Sequence, residues 1–190
     1  EKVNQSELWV FDMASREMTR IQDDGWKDQG MSVVDDRQFL YPDSEEPRRS
    51  VWITDGSDEL VFLRNSRDRH RVDLVSVDLN TMAVTPLIEE RLNTYQEWQE
   101  PYGLDDGSYI WWSERDGWAH LYHYSADGRL LNRLTRGPFS VAGVTAVDEA
   151  ARVVYFAAHG REEGIDPYYA NVYRVNLDGS GLRLLSEADN

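Results

Sequence analysis

Leu121-Tyr122-His123-Tyr124-Ser125-Ala126-Asp127-Gly128-Arg129-Leu130-Leu131-Asn132-Arg133-Leu134 reads as a β-hairpin. Tyr122 and Tyr124 stand two apart, so they share one side of an extended strand. Aromatic side chains suit a pleated surface. Asp127-Gly128 then interrupts the apolar pattern, and glycine supplies the positive φ that a tight reversal needs. Three other stretches lie over this one: Leu8-Trp9-Val10-Phe11-Asp12 through Ile21, Leu74-Val75-Ser76-Val77-Asp78 through Leu87, and Val172-Tyr173-Arg174-Val175-Asn176 through Leu185. In each, 13 positions separate the first aliphatic residue from the last. The turns fall at Ser15-Arg16, Asn80-Thr81 and Asp178-Gly179.

Ahead of the hairpins lie further apolar runs. Glu59-Leu60-Val61-Phe62-Leu63 follows Asp55-Gly56, Tyr109-Ile110-Trp111-Trp112 follows Asp106-Gly107, and Arg152-Val153-Val154-Tyr155-Phe156 follows Asp148-Glu149. Near-continuous apolar runs suit strands covered on both faces. Gln38-Phe39-Leu40-Tyr41, after Asp35-Asp36, is a fourth expected inner strand. Ser32-Val33-Val34 and Val141-Ala142-Gly143-Val144 are expected leading strands. The hairpins recur at offsets of 66, 47 and 51 residues, and a period of forty to fifty residues with about four strands matches propeller blades. The expected fold is therefore all-β: a β-propeller fragment of three to four antiparallel four-stranded blades, at about 1–50, 51–92, 93–136 and 137–190. The long first offset calls for an insertion or atypical blade in 22–58, around Pro42-Asp43-Ser44-Glu45-Glu46-Pro47-Arg48-Arg49. A β-sandwich is the rival, but it leaves the fixed spacing unexplained. Three or four blades leave open sheet edges, which invite a homodimer or edge-to-edge self-association.

Composition narrows the function. The chain has 190 residues, a formal charge of −15 and no cysteine. An acidic surface repels phosphate backbones, so nucleic acid is not an expected partner. Without cysteine there is no disulfide, thiolate metal site or thiol nucleophile. No run of 18 apolar residues offers a membrane-spanning helix. The chain opens on polar Glu1-Lys2-Val3-Asn4-Gln5, which reads as a cut inside a longer protein, with room for a signal upstream. His120 and His123, three apart on a strand, point to opposite faces. With no His-Glu-x-x-His pattern, no metal or other cofactor is expected. No Asp-x-Asp-x-Asp-Gly loop offers calcium a site. The seven tryptophans and ten tyrosines raise a sugar-binding alternative, although their regular strand positions favour the core.

Trp112-Ser113-Glu114-Arg115-Asp116-Gly117-Trp118-Ala119-His120-Leu121-Tyr122 resembles a signature of the dipeptidyl peptidase IV family, within the prolyl oligopeptidase group. There a Ser-Glu-Arg-Asp-Gly-aromatic stretch leads into His-Leu-Tyr. Ser66-Arg67-Asp68-Arg69, Leu134-Thr135, Gly137-Pro138-Phe139-Ser140-Val141, Val147-Asp148-Glu149, Val154-Tyr155-Phe156 and Tyr173-Arg174-Val175-Asn176-Leu177-Asp178-Gly179 fall into line in the same order. The likeness is good over 51–190 and looser over 1–50. It implies a parent with this propeller followed by an α/β-hydrolase domain, acting as a serine exopeptidase on short N-terminal peptides. The implied partners are that downstream domain and the peptide substrate. The compartment stays open among periplasmic, secreted and membrane-anchored.

Serine peptidase chemistry needs a nucleophile, a histidine base and an orienting acid, the serine sitting in a Gly-x-Ser-x-Gly elbow. No such pentapeptide occurs; Asp178-Gly179-Ser180-Gly181-Leu182 lacks the spacing and falls in a hairpin turn. No catalytic residue is expected in this chain. The family captures the substrate's amino terminus with paired glutamates on a propeller helix. Glu45-Glu46, Glu89-Glu90 and Glu162-Glu163 do not stand at the matching place and read as solvated surface. The resemblance brings the loop Tyr95-Gln96-Glu97-Trp98-Gln99-Glu100-Pro101 toward the substrate, which makes Glu97 and Trp98 the candidate substrate-binding residues. Their residue types differ from the best-known members, and packing of Trp98 in a blade connection is the plainer alternative. Ser113, Glu114, Arg115, Asp116, Gly117, Trp118 and His120 are expected to hold a blade together, with His120 supplying hydrogen bonds. The rival function is a stand-alone propeller scaffold or binding module of the bacterial envelope, without hydrolysis.

Overall fold

The computed structural model describes residues 6–23, 25–26, 28–34, 38–39, 48–49 and 58–186. The chain divides into two compact units, Glu1–Gln96 and Glu97–Asn190. Every described element is a strand or turn. Three antiparallel four-stranded sheets carry the architecture, and the fold is an all-β propeller fragment.

The first unit opens with a hairpin of β1 (Trp9–Phe11) and β2 (Met18–Arg20). Its turn is closed by the Asp12 carboxylate, which accepts the amides of Ala14 and Ser15, while Arg16 takes φ 61°. Asp78 does the same for Asn80 and Thr81, with Met82 at φ 57°. The four-stranded sheet joins β3 (Gly30–Val33), β6 (Glu59–Asn65), β7 (Arg71–Asp78) and β8 (Val84–Arg91) in that order. Between β3 and β6 lie β4 (Gln38–Phe39) and β5 (Arg48–Arg49), which pair with each other.

Two expectations change here. Gln38-Phe39 is a strand, but it forms a separate ribbon instead of an inner blade strand. The four-stranded sheet also reaches back to Gly30, ahead of the boundary expected at residue 51. The cause is apolar: Met31 and Val33 pack against the cluster of Ile21, Leu60, Phe62, Val75 and Val77, so β3 belongs beside β6 in spite of the intervening insertion. Leu40-Tyr41, Glu45-Glu46, Asp35-Asp36 and Asp55-Gly56 lie outside the described residues.

The same cluster orients the first hairpin. Leu8 and Val10 pack onto it, so Trp9 and Phe11, which alternate with them, face away and are 51% and 50% exposed. At the equivalent positions Val75, Val77, Tyr173 and Val175 are fully buried. The shared side was legible in the sequence; which side is covered was not.

The second unit holds two sheets. One joins β9 (Tyr102–Gly103), β10 (Tyr109–Ser113), β11 (His120–Tyr124) and β12 (Leu130–Arg133), the other β13 (Ser140–Asp148), β14 (Val153–His159), β15 (Ala170–Asn176) and β16 (Arg183–Leu184). Each runs in simple meander order. Gly128 at φ 80° and Gly179 at φ 81° close the hairpins, as the Asp-Gly pairs require. Leu121 from one sheet and Val154, Phe156, Tyr173 and Val175 from the other form one buried cluster. Phe156 and Tyr173 stack with centroids 5.5 Å apart. Burial of each such side chain is worth roughly 1.5–3 kcal/mol.

Candidate functional site

The signature residues converge at one end of the β10–β11 hairpin. Register pairs Ser113 with His120 and Trp112 with Leu121, leaving a turn closed by the Gly117 amide donating to the Glu114 carbonyl at 2.9 Å. Gly117 takes φ 85°, a conformation that glycine adopts without strain. Ser113 Oγ accepts from both the Arg115 amide and its Nε, and Arg115 Nη1 donates to the Tyr124 hydroxyl at 2.7 Å. That guanidinium lies 4.5 Å from the Tyr122 ring centroid. The Tyr122 hydroxyl donates to Asp116, whose carboxylate also pairs with Arg133 at 2.6 Å.

These contacts shift the titrations. The Tyr122 hydroxyl pulls the Asp116 carboxyl below its usual range, with Arg133 and Arg115 adding to it. Burial pushes the Tyr122 phenol up, and its bond to Asp116 pushes it further. Trp118 turns outward, 48% exposed.

His120 is fully buried. Its Nε2–H donates to the Gly137 carbonyl at 3.1 Å, and its Nδ1 accepts from the Thr135 hydroxyl at 3.0 Å. Thr135 Oγ1 in turn accepts the Leu121 amide. Both ring nitrogens are thereby satisfied in the neutral form, and burial followed by the Arg133 charge holds the imidazole below its usual range. Phe139 meets the ring edge-on at 5.1 Å. Sequence reasoning singled out His120 for hydrogen bonding but missed Thr135 and Arg133. The hairpin register sets Arg133 opposite Tyr122, so cross-strand counting was the signal available.

Glu97 and Trp98 sit elsewhere, at the start of the second unit ahead of β9. Glu97 is exposed and Trp98 half-buried, and the indole Nε1 is shut from solvent without a hydrogen-bond partner. Gln99 ties the segment to β13 by donating to the Ala142 carbonyl at 2.5 Å. In the first unit Gln96 is held by the His70 carbonyl.

The described residues of the second unit hold an Asp-Ser-His grouping. Ser108 donates to Asp106, and His123 Nε2 lies 3.0 Å from Ser108 Oγ. The serine stands between acid and imidazole, and its proton is committed to the acid. A nucleophile needs the opposite order, with the imidazole taking the serine proton. Ser108 and His123 are also buried, so this grouping is structural. Among the described residues no group of three or more His, Cys, Asp or Glu is placed to hold a metal ion.

A family model described as the dipeptidyl peptidase IV (DPP IV) N-terminal region matches residues 7–190. The chain belongs to this family. Dipeptidyl peptidase 4 of Trichophyton equinum is 26% identical over 135 residues, covering 67% of this chain and 17% of that relative. Dipeptidyl peptidase 4 of Trichophyton rubrum is 29% identical over 116 residues, or 57% of this chain and 15% of its own. The DPP IV N-terminal region here thus spans about a sixth of such relatives. In fold it is similar to the crystal structure of Porphyromonas gingivalis dipeptidyl peptidase 4, with TM-score 0.76 and 21% identity over 95% of this chain and 23% of that one. It is also similar to a putative dipeptidyl aminopeptidase IV from Bacteroides ovatus, with TM-score 0.60 and 18% identity over 93% of this chain and 25% of that one.

Proposed function

We propose that this chain is the non-catalytic propeller portion of a DPP IV-like serine exopeptidase. Its role is to restrict access to a downstream α/β-hydrolase domain and to position the peptide there. The match of residues 7–190 to the DPP IV N-terminal region carries the reading. Ser113, Arg115, Asp116 and His120 are engaged by one another or by neighbours in β11, β12 and the loop after β12, which makes this part of the blade a wall. Positioning lowers a barrier by fixing reacting groups before chemistry begins, and a stiff blade provides that without a nucleophile of its own. A stand-alone scaffold is the weaker reading, because the matched relatives carry the peptidase name and several times this chain's length.

On this reading Glu97 and Trp98 border the bound peptide. Exposed Glu97 offers a carboxylate to a cationic or hydrogen-bonding group, and half-buried Trp98 offers an apolar ring edge. The test uses the complete protein with a Gly-Pro reporter. Trp98→Ala and Glu97→Gln should raise KM several-fold with a smaller change in kcat. Parameters unchanged in both variants would remove these residues from the substrate path.

A further inference from the structure

A recess of about 230 Å³ opens in the second unit between two loops. Arg136, Gly137, Pro138 and Phe139 form one wall, and Arg161 and Glu162 the other. The first loop follows β12, and the second follows β14. The Arg161 guanidinium lies 5.3 Å from the Tyr173 ring centroid and 6.0 Å from that of Phe139, and it is bonded to the Glu162 carboxylate. Arg136 is exposed and pairs with no carboxylate among the described residues. Two guanidiniums against one carboxylate make the recess locally positive in a chain of net charge −15.

The wall is preorganised. His120 clamps the Gly137 carbonyl, and buried Phe139 leans on the same imidazole. Gly137 takes φ 126°, which any side chain would strain, and a Cβ there would also crowd the Phe139 ring at 3.3 Å. Arg161 is near two aromatic rings and bonded to a carboxylate, so part of its freedom is already spent before binding. The buried signature histidine thus fixes the shape of a surface recess.

From this geometry we infer that the recess binds a carboxylate, the free C-terminal carboxylate of a short peptide. A planar guanidinium matches a carboxylate through paired N–H donors. Glu162 is already engaged by Arg161, which leaves Arg136 as the uncompensated charge at the rim. Exposed Pro138 supplies an apolar contact for the last side chain, with buried Phe139 as the floor behind it. The volume is below that of a site for a whole drug-sized ligand, so only the end of a chain enters. The choice of a peptide rests on the peptidase reading above; the preference for a carboxylate rests on the recess alone.

The test is binding of N-acetyl-Gly-Leu to the complete protein against N-acetyl-Gly-Leu amide, followed by NMR or calorimetry. Neither probe has a free amino terminus, so turnover does not enter and peptidase activity is read separately with a Gly-Pro reporter. The acid should bind about tenfold more tightly than the amide, or about 1.4 kcal/mol. Arg136→Gln, an exposed change that spares the fold, and Arg161→Gln should each erase most of that preference. Equal binding of acid and amide, no detectable binding of either, or an undiminished preference in Arg136→Gln would overturn the proposal. Carboxylate preference without Gly-Pro cleavage would instead count against the peptidase reading and leave the recess standing.

Discussion

Arg64 and Asp73 face each other across β6 and β7 with both side chains shut from water. Arg64 Nε and Nη2 lie 3.0 and 2.8 Å from Asp73 Oδ2, and Nη1 lies 2.5 Å from Asp23 Oδ1. Arg91 bonds the other Asp73 oxygen. The guanidiniums of Arg64, Arg71 and Arg91 stand 4.6, 4.7 and 5.1 Å from the Trp26 ring centroid. A buried charge is tolerated only when paired and hydrogen-bonded, and Asp73 supplies the pairing for two arginines at once. Asp73→Ala should therefore cost about 3–5 kcal/mol, because it strands buried positive charge. Thermal unfolding of the variant checks this, and a melting temperature close to the parent's would show that the network contributes little.

His120 makes a separate prediction. Removing it leaves the Thr135 hydroxyl proton without an acceptor and the Gly137 carbonyl without its imidazole donor, and opens a hole beside Phe139. His120→Ala should destabilise by about 2–4 kcal/mol, combining a cavity with unsatisfied polar groups. Thr135→Val keeps the volume and loses only hydrogen bonds, so it should cost about 1–2 kcal/mol. Chemical denaturation of the two variants gives the comparison, and equal losses would contradict the two-part account.

The pH dependence of stability follows from the same burial. His120 and His123 both have pKa values lowered from 6.5, chiefly by burial. A histidine depressed in the fold binds more protons when unfolded. Its contribution is complete above the unfolded value and is lost as pH falls through about 6.5 toward the folded value. Asp106 and Asp116 are lowered from 3.8 by hydrogen bonds and neighbouring positive charge, so their contributions fade only at more acid pH. The melting temperature should be flat from pH 8 to 7 and should fall between pH 6.5 and 5, with a shallower fall in His120→Gln. A fall as steep in that variant would move the titration away from His120.

Glycines at positive φ separate two costs. Gly164 takes φ 82° with nothing within 4 Å of an added Cβ, whereas Gly179 takes φ 81° and a Cβ there would lie 2.7 Å from the Arg133 carbonyl oxygen. Gly164→Ala should cost about 1 kcal/mol, the left-handed penalty alone. Gly179→Ala should cost clearly more, since rigid backbone must move as well. Equal melting temperatures would show that the β12 end of the sheet gives way freely.

Much of this was legible in the sequence. The hairpins announced themselves because Asp-Gly pairs and Asp-capped turns are local chemistry, and glycine or an Asp carboxylate fixes the reversal without help from elsewhere. The signature residues were also visible as a group, since they lie within one turn. Partners supplied by distant segments were not. Arg64 and Asp73 lie just outside the apolar runs that the sequence shows; their pairing needs the β6–β7 register, and Asp23 comes from another segment altogether. β3 was separated from its sheet by an insertion whose length no local rule sets. Trp9 and Phe11 could not be told from Leu8 and Val10 as the buried face, because both sets are apolar. Glu97 and Trp98 rest on likeness alone, and nothing in their spacing carries a contact.

The most direct measurement of the central claim is cleavage of a Gly-Pro reporter by the complete protein and by residues 1–190 prepared alone. Steady release is expected from the complete protein and none from the 190-residue chain. Turnover by the isolated chain, or an inert complete protein, would contradict that claim.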